Sequence, residues 1–280
     1  MGTVVTFDLR SHSPRRATTD IGVTDGFARE SVDDAVDAAM AWLWWVDATF
    51  STYRPDSEIC RIGRGELPVG DAHPLVQEIL VMCGELQAKT DGYFDAWASG
   101  SLDPSGLVKG WSLERASAML IDAGWPDHAI DGGGDIRVHG RPGAGDVPVP
   151  GRLGADQDNR EGRGWTVGIR HPSRRDAYCA AVTLDEGAVA TSGTYERGLH
   201  VIDPHRGVPA TDLAAVTVVG PELTLTDAYA TAALAMGDRA IDWLAALDDH
   251  EGLVITASGQ ARQTPGFDRY RMDLSAATSV

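Results

Sequence analysis

The run of strand-like segments near residues 165–170, 178–184, 199–203 and 214–219 constrains this chain most. Short turns join these segments, and no helical pattern separates them. Parallel neighbours would each need a crossover of a dozen or more residues, so the run predicts antiparallel pairing. Three further strands are expected: residues 3–9, the glycine-interrupted HAIDGGGDIRVH (128–139), and a last strand, LVITAS (253–258). Helical patterns fall at 31–50, 73–89, about 109–123, from 227 onward, and 238–247. Strands and helices mix without strict βαβ alternation, which predicts an α+β fold with largely antiparallel sheets and flanking helices. No internal repeat or linker interrupts the chain, so residues 1–280 are expected to form a single domain.

Local signals fix several boundaries. SVDDAVDAAMAWLWWVDATF opens with Ser31 as a cap and places Asp33 and Asp34 in the first turn, where the helix dipole favours acids. Its tryptophans, Trp42, Trp44 and Trp45, read as core packing. Pro74 suits a first helical turn, and Gly124 suits a helix end. The glycine triplet at 132–134 marks a place where backbone must approach something closely. Residues 141–163, rich in Gly, Pro, Asp and Arg, read as an exposed loop.

Composition removes several function classes. A formal charge of −17 argues against nucleic-acid binding, which depends on neutralising phosphates. No run approaches the length of a membrane span. No basic segment leads into an apolar one at the start, and the three scattered cysteines do not form a disulfide scaffold. A cytoplasmic protein is the expectation. An anionic ligand could bind only where cations or backbone N–H groups reverse the local field. There is no P-loop, no GxGxxG, no HExxH and no GxSxG.

The chemistry is concentrated in four stretches: DPSGLVKG (103–110), GGGDIRVHG (132–140), TSGTYERGLHVIDP (191–204) and TDAYATAALAMG (226–237). Each sets a polar residue beside glycines or small residues, where a ligand can approach backbone. In the last, Asp227 and Thr231 are four residues apart, which puts a carboxylate and a hydroxyl on one helical face. From those two residues alone, the alternative is that Asp227 caps its helix.

In this order, together with Met1-Gly2-Thr3, STYRPDSE (51–58) and DGYFD (91–95), these stretches resemble the FAD:protein FMN transferases, the ApbE-like flavin transferases. The resemblance covers nearly the whole chain. It implies an α+β unit with two lobes around a ligand cleft, binding of FAD and Mg²⁺, and transfer of FMN to a Thr or Ser hydroxyl of a protein acceptor with release of AMP. It implies metal ligands at Asp227, Thr231 and the carbonyls of Ala230 and Gly106. It implies FAD contacts at Met1, Phe94, Asp95, Ala96, Asp103, Lys109 and Val201, and an aromatic against the flavin at Tyr53. Hard oxygen ligands of this kind suit Mg²⁺, which keeps water and phosphate oxygens in its shell. The chain departs from the family in SEICRIG, where Cys60 and Gly63 replace the usual Ser and Asn, and in Glu114 of KGWSLER, where Asp is frequent.

His200 is the candidate general base, because an imidazole beside a carboxylate, here Asp203, can take a hydroxyl proton near neutral pH. Asp203 has the alternative of holding a turn with Pro204. Two other functions remain open: an FAD pyrophosphatase that uses water as nucleophile, and a flavin-binding module without turnover.

Overall fold

The computed structural model describes residues 3–10, 30–142, 164–194, 198 and 200–272. Met1 and residues 143–163 of the expected loop lie outside them. A seven-stranded sheet runs through the molecule. Its strands are β1 (Val5–Leu9), β2 (His128–Gly132), β3 (Ile136–His139), β6 (Gly187–Gly193), β9 (Leu213–Gly220), β10 (Glu251–Thr256) and β11 (Ala261–Gln263). They are ordered β1-β2-β3-β6-β9-β10-β11, and every neighbouring pair is antiparallel. A long hairpin of β4 (Trp165–His171) and β5 (Arg174–Leu184) stands apart, as does the two-residue pairing of β7 (Ile202–Asp203) with β8 (Val208–Pro209).

Both faces of the sheet are covered, because successive side chains of a strand point to opposite sides. On β6, Ala188 and Ala190 face a core shared with the helices, while Val189 faces a second core. That second core is closed by Trp165, Val167 and Ile169 of β4, by Val182 of β5, and by the fully buried Phe267.

The helices are α1 (Val32–Phe50), α2 (Glu58–Gly63), α3 (Pro74–Lys89), α4 (Ser105–Asp122), α5 (Leu223–Met236) and α6 (Ala240–Ala245). α1 begins as its sequence predicts, with Ser31 Oγ accepting the Asp34 N–H at 3.1 Å. Trp42 and Trp45 stack with centroids 5.2 Å apart and Trp42 meets Trp111 of α4, whereas Trp44 is 67% exposed and does not join the core. α4 starts at Ser105, four residues before its expected start at Lys109. α5 starts at Leu223 instead of Asp227. It is buried at every position except Leu225 and Thr231, and it lies against α4 on one side and β6 and β9 on the other. Its alanines are what allow neighbours on both sides to come close.

The glycine triplet makes a tight hairpin instead of one continuous strand. Gly133 and Gly134 have φ of 75° and 96°, and the Gly132 N–H donates to the Asp135 carbonyl at 2.9 Å. A Cβ on Gly133 would strike the Thr3 side chain, so Thr3 lies directly against this turn.

α4 is tied to the sheet through His128. Its Nδ1 lies 2.7 Å from the Trp125 carbonyl, which can only accept, so Nδ1 carries the proton. Nε2 is then the acceptor and Ser117 Oγ donates to it at 2.7 Å. Burial pushes the imidazole down to about 4 and keeps it neutral. Ser117→Ala is therefore expected to cost about 1–3 kcal/mol by stranding a buried acceptor, measured by urea unfolding.

Candidate active site

The start of α4 and the middle of α5 meet across one wall of an open cleft. α4 follows Pro104 with no side-chain cap from that residue, and Ser105, Gly106 and Lys109 all face the cleft. The positive end of a helix thus points into it. The approach of segment 94–96 is fixed by the Asp103 N–H, which donates to the Ala96 carbonyl at 2.7 Å, while Asp103 Oδ1 accepts the Ser105 N–H at 3.0 Å. Gly106 lies so close to α5 that a Cβ there would sit 3.2 Å from Thr231 Oγ1 and 3.4 Å from the Phe94 ring.

Asp227 is one turn inside α5, not at its cap. Glu222 caps the helix, accepting the N–H groups of Thr224 and Leu225 at 3.1 Å each, and Glu114 Oε2 accepts the Leu223 N–H at 2.6 Å. Asp227 is therefore released from the capping role. Its Oδ2 accepts the Gly110 N–H of α4 at 2.9 Å, and its Oδ1 has the Lys109 ammonium at 3.6 Å. The closer partner of Lys109 is Asp135, which is 1% exposed and whose Oδ1 accepts the Thr191 N–H at 3.0 Å. Thr231 Oγ1 is 3.2 Å from Ser192 Oγ of β6.

Two buried carboxylates thus face one ammonium. Desolvation first, and the Asp135 charge second, push the Asp227 carboxyl up to about 8, outweighing Lys109 and the Gly110 N–H. The folded value lies above the unfolded one. The stability contributed by the protonated group is therefore full below about pH 4 and is lost as pH rises through about 8. In urea titrations of metal-free protein, Asp227→Asn is expected to remove this downward slope.

Of the residues expected at the site, the cleft gathers Phe94, Asp95, Ala96, Asp103, Gly106, Lys109, His200, Val201, Asp227 and Thr231. Ala230 is fully buried inside α5 and does not line it. Tyr53 is 95% exposed in the turn between α1 and α2 and does not line it either. Met1 lies outside the described residues. His200 is exposed at the rim, with Nδ1 3.1 Å from the Gly198 carbonyl. Asp203 does not support it. Asp203 Oδ1 instead accepts the N–H groups of His205 and Arg206 at 2.9 and 3.2 Å, so this carboxylate holds the turn. Sequence alone does not single out Asp135 and Ser192, although it does single out the GGGD and TSG stretches that carry them.

The sequence model of the ApbE family matches residues 1–100 and 96–254. The chain belongs to the ApbE family. Solved ApbE structures share its fold. The flavin transferase ApbE from Vibrio cholerae aligns over 96% of both chains with a TM-score of 0.74 at 19% identity. The ApbE protein from Thermotoga maritima aligns over 89% of this chain and 94% of its own with a TM-score of 0.72, also at 19% identity. Among curated ApbE relatives, the FAD:protein FMN transferase of Rhodobacter capsulatus is 32% identical over 176 residues, 59% of this chain and 30% of its own length. That of Treponema pallidum is 31% identical over 189 residues, 63% of this chain and half of its own length. The matches therefore span half or less of these relatives.

The oxygen set suits a hard cation. Among the described residues, no three His, Cys, Asp or Glu side chains form a metal cage. Asp227 and Thr231 instead offer a carboxylate and a hydroxyl on one helical face, with Ser192 Oγ adjacent and open cleft in front. A site of this kind, with few protein ligands and space for water and phosphate oxygens, is what Mg²⁺ accepts.

Proposed function

We propose that this chain, acting as a single domain, is a Mg²⁺-dependent FAD:protein FMN transferase that modifies a Thr or Ser hydroxyl of a protein acceptor and releases AMP. The observation that carries this reading is the convergence of Asp227, Thr231, Lys109 and the start of α4 on one cleft wall. The names of the curated relatives support it.

Asp227 and Thr231 would hold the ion, with the Gly106 carbonyl on the facing helix. The bound ion supplies positive charge to the pyrophosphate oxygens as charge builds on them. Lys109 and the N–H groups at the start of α4 hold the anionic part of FAD in a protein that is otherwise strongly acidic. Phe94 and Val201 give the cleft apolar surface for a ring.

The acceptor hydroxyl oxygen bonds to the flavin-side phosphorus, the bond from that phosphorus to the bridging oxygen breaks, and AMP leaves. His200, which lines the cleft, would receive the hydroxyl proton. Its Nδ1–H is directed at the Gly198 carbonyl, so Nε2 is the basic nitrogen.

The test is mass spectrometry of the protein incubated with FAD and Mg²⁺, with and without an acceptor carrying a Thr or Ser. The expected result is acceptor gaining the mass of FMN less water. FMN and AMP formed without acceptor labelling would replace the reading with a pyrophosphatase. Intact FAD in both tubes, bound with or without chelator, would leave a flavin-binding module.

A further inference from the structure

The chemistry proposed for the cleft uses Lys109 and Asp227 and leaves Asp135 without a role, although it is as deeply buried as Asp227. A lone buried carboxylate is costly unless paired and hydrogen-bonded. Asp135 meets that condition in a particular way. One oxygen is anchored to β6 through the Thr191 N–H at 3.0 Å, and the other is in close contact with the Lys109 ammonium. The same ammonium stands 3.6 Å from Asp227 Oδ1, beyond hydrogen-bond reach. Asp227 Oδ2 is already committed to Gly110. The oxygen facing Lys109 is therefore the one through which Asp227 would bind a cation.

We propose that Asp135 is a positioning residue that holds the Lys109 ammonium against the β2–β3 turn and so keeps Asp227 Oδ1 available to a divalent cation. This rests on the reading of Asp227 as a metal-holding residue. Without the Asp135 carboxylate, a flexible lysine with one remaining buried anion beside it would close onto Asp227, because a short charge-assisted contact is stronger than one at 3.6 Å. Lysine and metal would then compete for one oxygen. Anchoring to the β6 backbone matters because it stops Asp135 from following the lysine. It also makes Asp135 act on the metal mainly through Lys109 and only secondarily through its own charge.

The experiment is binding of Mn²⁺ alone, read from the electron paramagnetic resonance of free Mn²⁺, in a cycle of Asp135→Asn, Lys109→Met and the double variant. Melting temperatures confirm that each chain is folded. Asp135→Asn keeps an oxygen for the Thr191 N–H while removing the charge. It is expected to weaken Mn²⁺ binding at least tenfold more when Lys109 is present than when Lys109→Met has removed it. Equal weakening in both backgrounds would mean that Asp135 acts by charge alone and would overturn the positioning role. So would a change of less than twofold in the single variant. If the unaltered chain binds no Mn²⁺, or binds it equally well with Asp227→Ala, the metal reading beneath the proposal fails as well. Should Asp135→Asn not fold, Asp135→Ser, which leaves room for water beside Thr191, enters the same cycle.

Discussion

Asp227→Ala is expected to reduce FMN transfer on the order of 10³-fold, the scale seen when a preorganised charge-stabilising group is lost. The fold should survive it. The substitution removes one hydrogen bond from the Gly110 N–H, worth about 1 kcal/mol, but it also removes a carboxylate that is ionised at a penalty in the metal-free protein. Asp227→Asn separates the two effects, because an amide oxygen still accepts from Gly110. Its unfolding midpoint near pH 8 should equal or exceed that of the unaltered chain while its transfer rate stays low. Initial rates at saturating Mg²⁺, alongside urea unfolding, check both halves. Transfer within tenfold of normal in both variants would remove Asp227 from the chemistry.

Gly110→Ala is expected to be the most damaging single-methyl change near the site. An added Cβ would overlap the Leu223 carbonyl oxygen and lie 2.8 Å from Asp227 Cβ. Both are parts of a buried helix with β6 and β9 behind it, so neither can move aside cheaply. Overpacking of this kind costs about 1–3 kcal/mol and sometimes more. Here it also spreads α4 from α5, and with them Lys109 and Gly106 from Asp227 and Thr231. The expected result is an unfolding free energy lower by about 3 kcal/mol, with FAD binding weakened at least tenfold in fluorescence titrations. Gly84 makes the contrast. It lies in α3, where an added Cβ would meet nothing within 4 Å, and Gly84→Ala should raise stability by about 0.5–1 kcal/mol.

Legibility followed how local each signal was. α1 and α3 are readable to within a residue because their start signals, Ser31 and the proline at 74, are written beside them. α4 begins four residues before its pattern indicates because Gly106 lowers helix propensity, and its reason for being glycine is a helix more than a hundred residues away. α5 also begins early, for a related cause: Glu222 caps it, but LTLT reads as strand by composition. β6, GAVATSG, carries no strand signal of its own. It is a central strand packed against α5 on one face, while Val189 on the other joins the core closed by the β4–β5 hairpin, and it is built mostly from small residues. At the site, Asp227, Thr231 and Lys109 can be singled out because family resemblance supplies what spacing cannot. Asp135 cannot, because its meaning is its distance to Lys109. The His200–Asp203 pairing fails for the opposite reason. Neighbours in sequence need not be neighbours in space, and this carboxylate turns back onto its own loop.

The order of the central sheet also sets a timetable for making the protein. Among the described residues, β1 hydrogen-bonds only to β2 within the sheet, with Val5 opposite Gly132. A ribosome working at ~5–20 residues per second takes about 6–25 s to deliver the partner after the strand itself has been made. During that interval VTFDL is a short apolar strand with unpaired backbone, a surface that invites pairing with other chains. Nascent chains of this protein should therefore depend on factors that shield β1 once it has been made, and that dependence should end once the glycine hairpin has emerged.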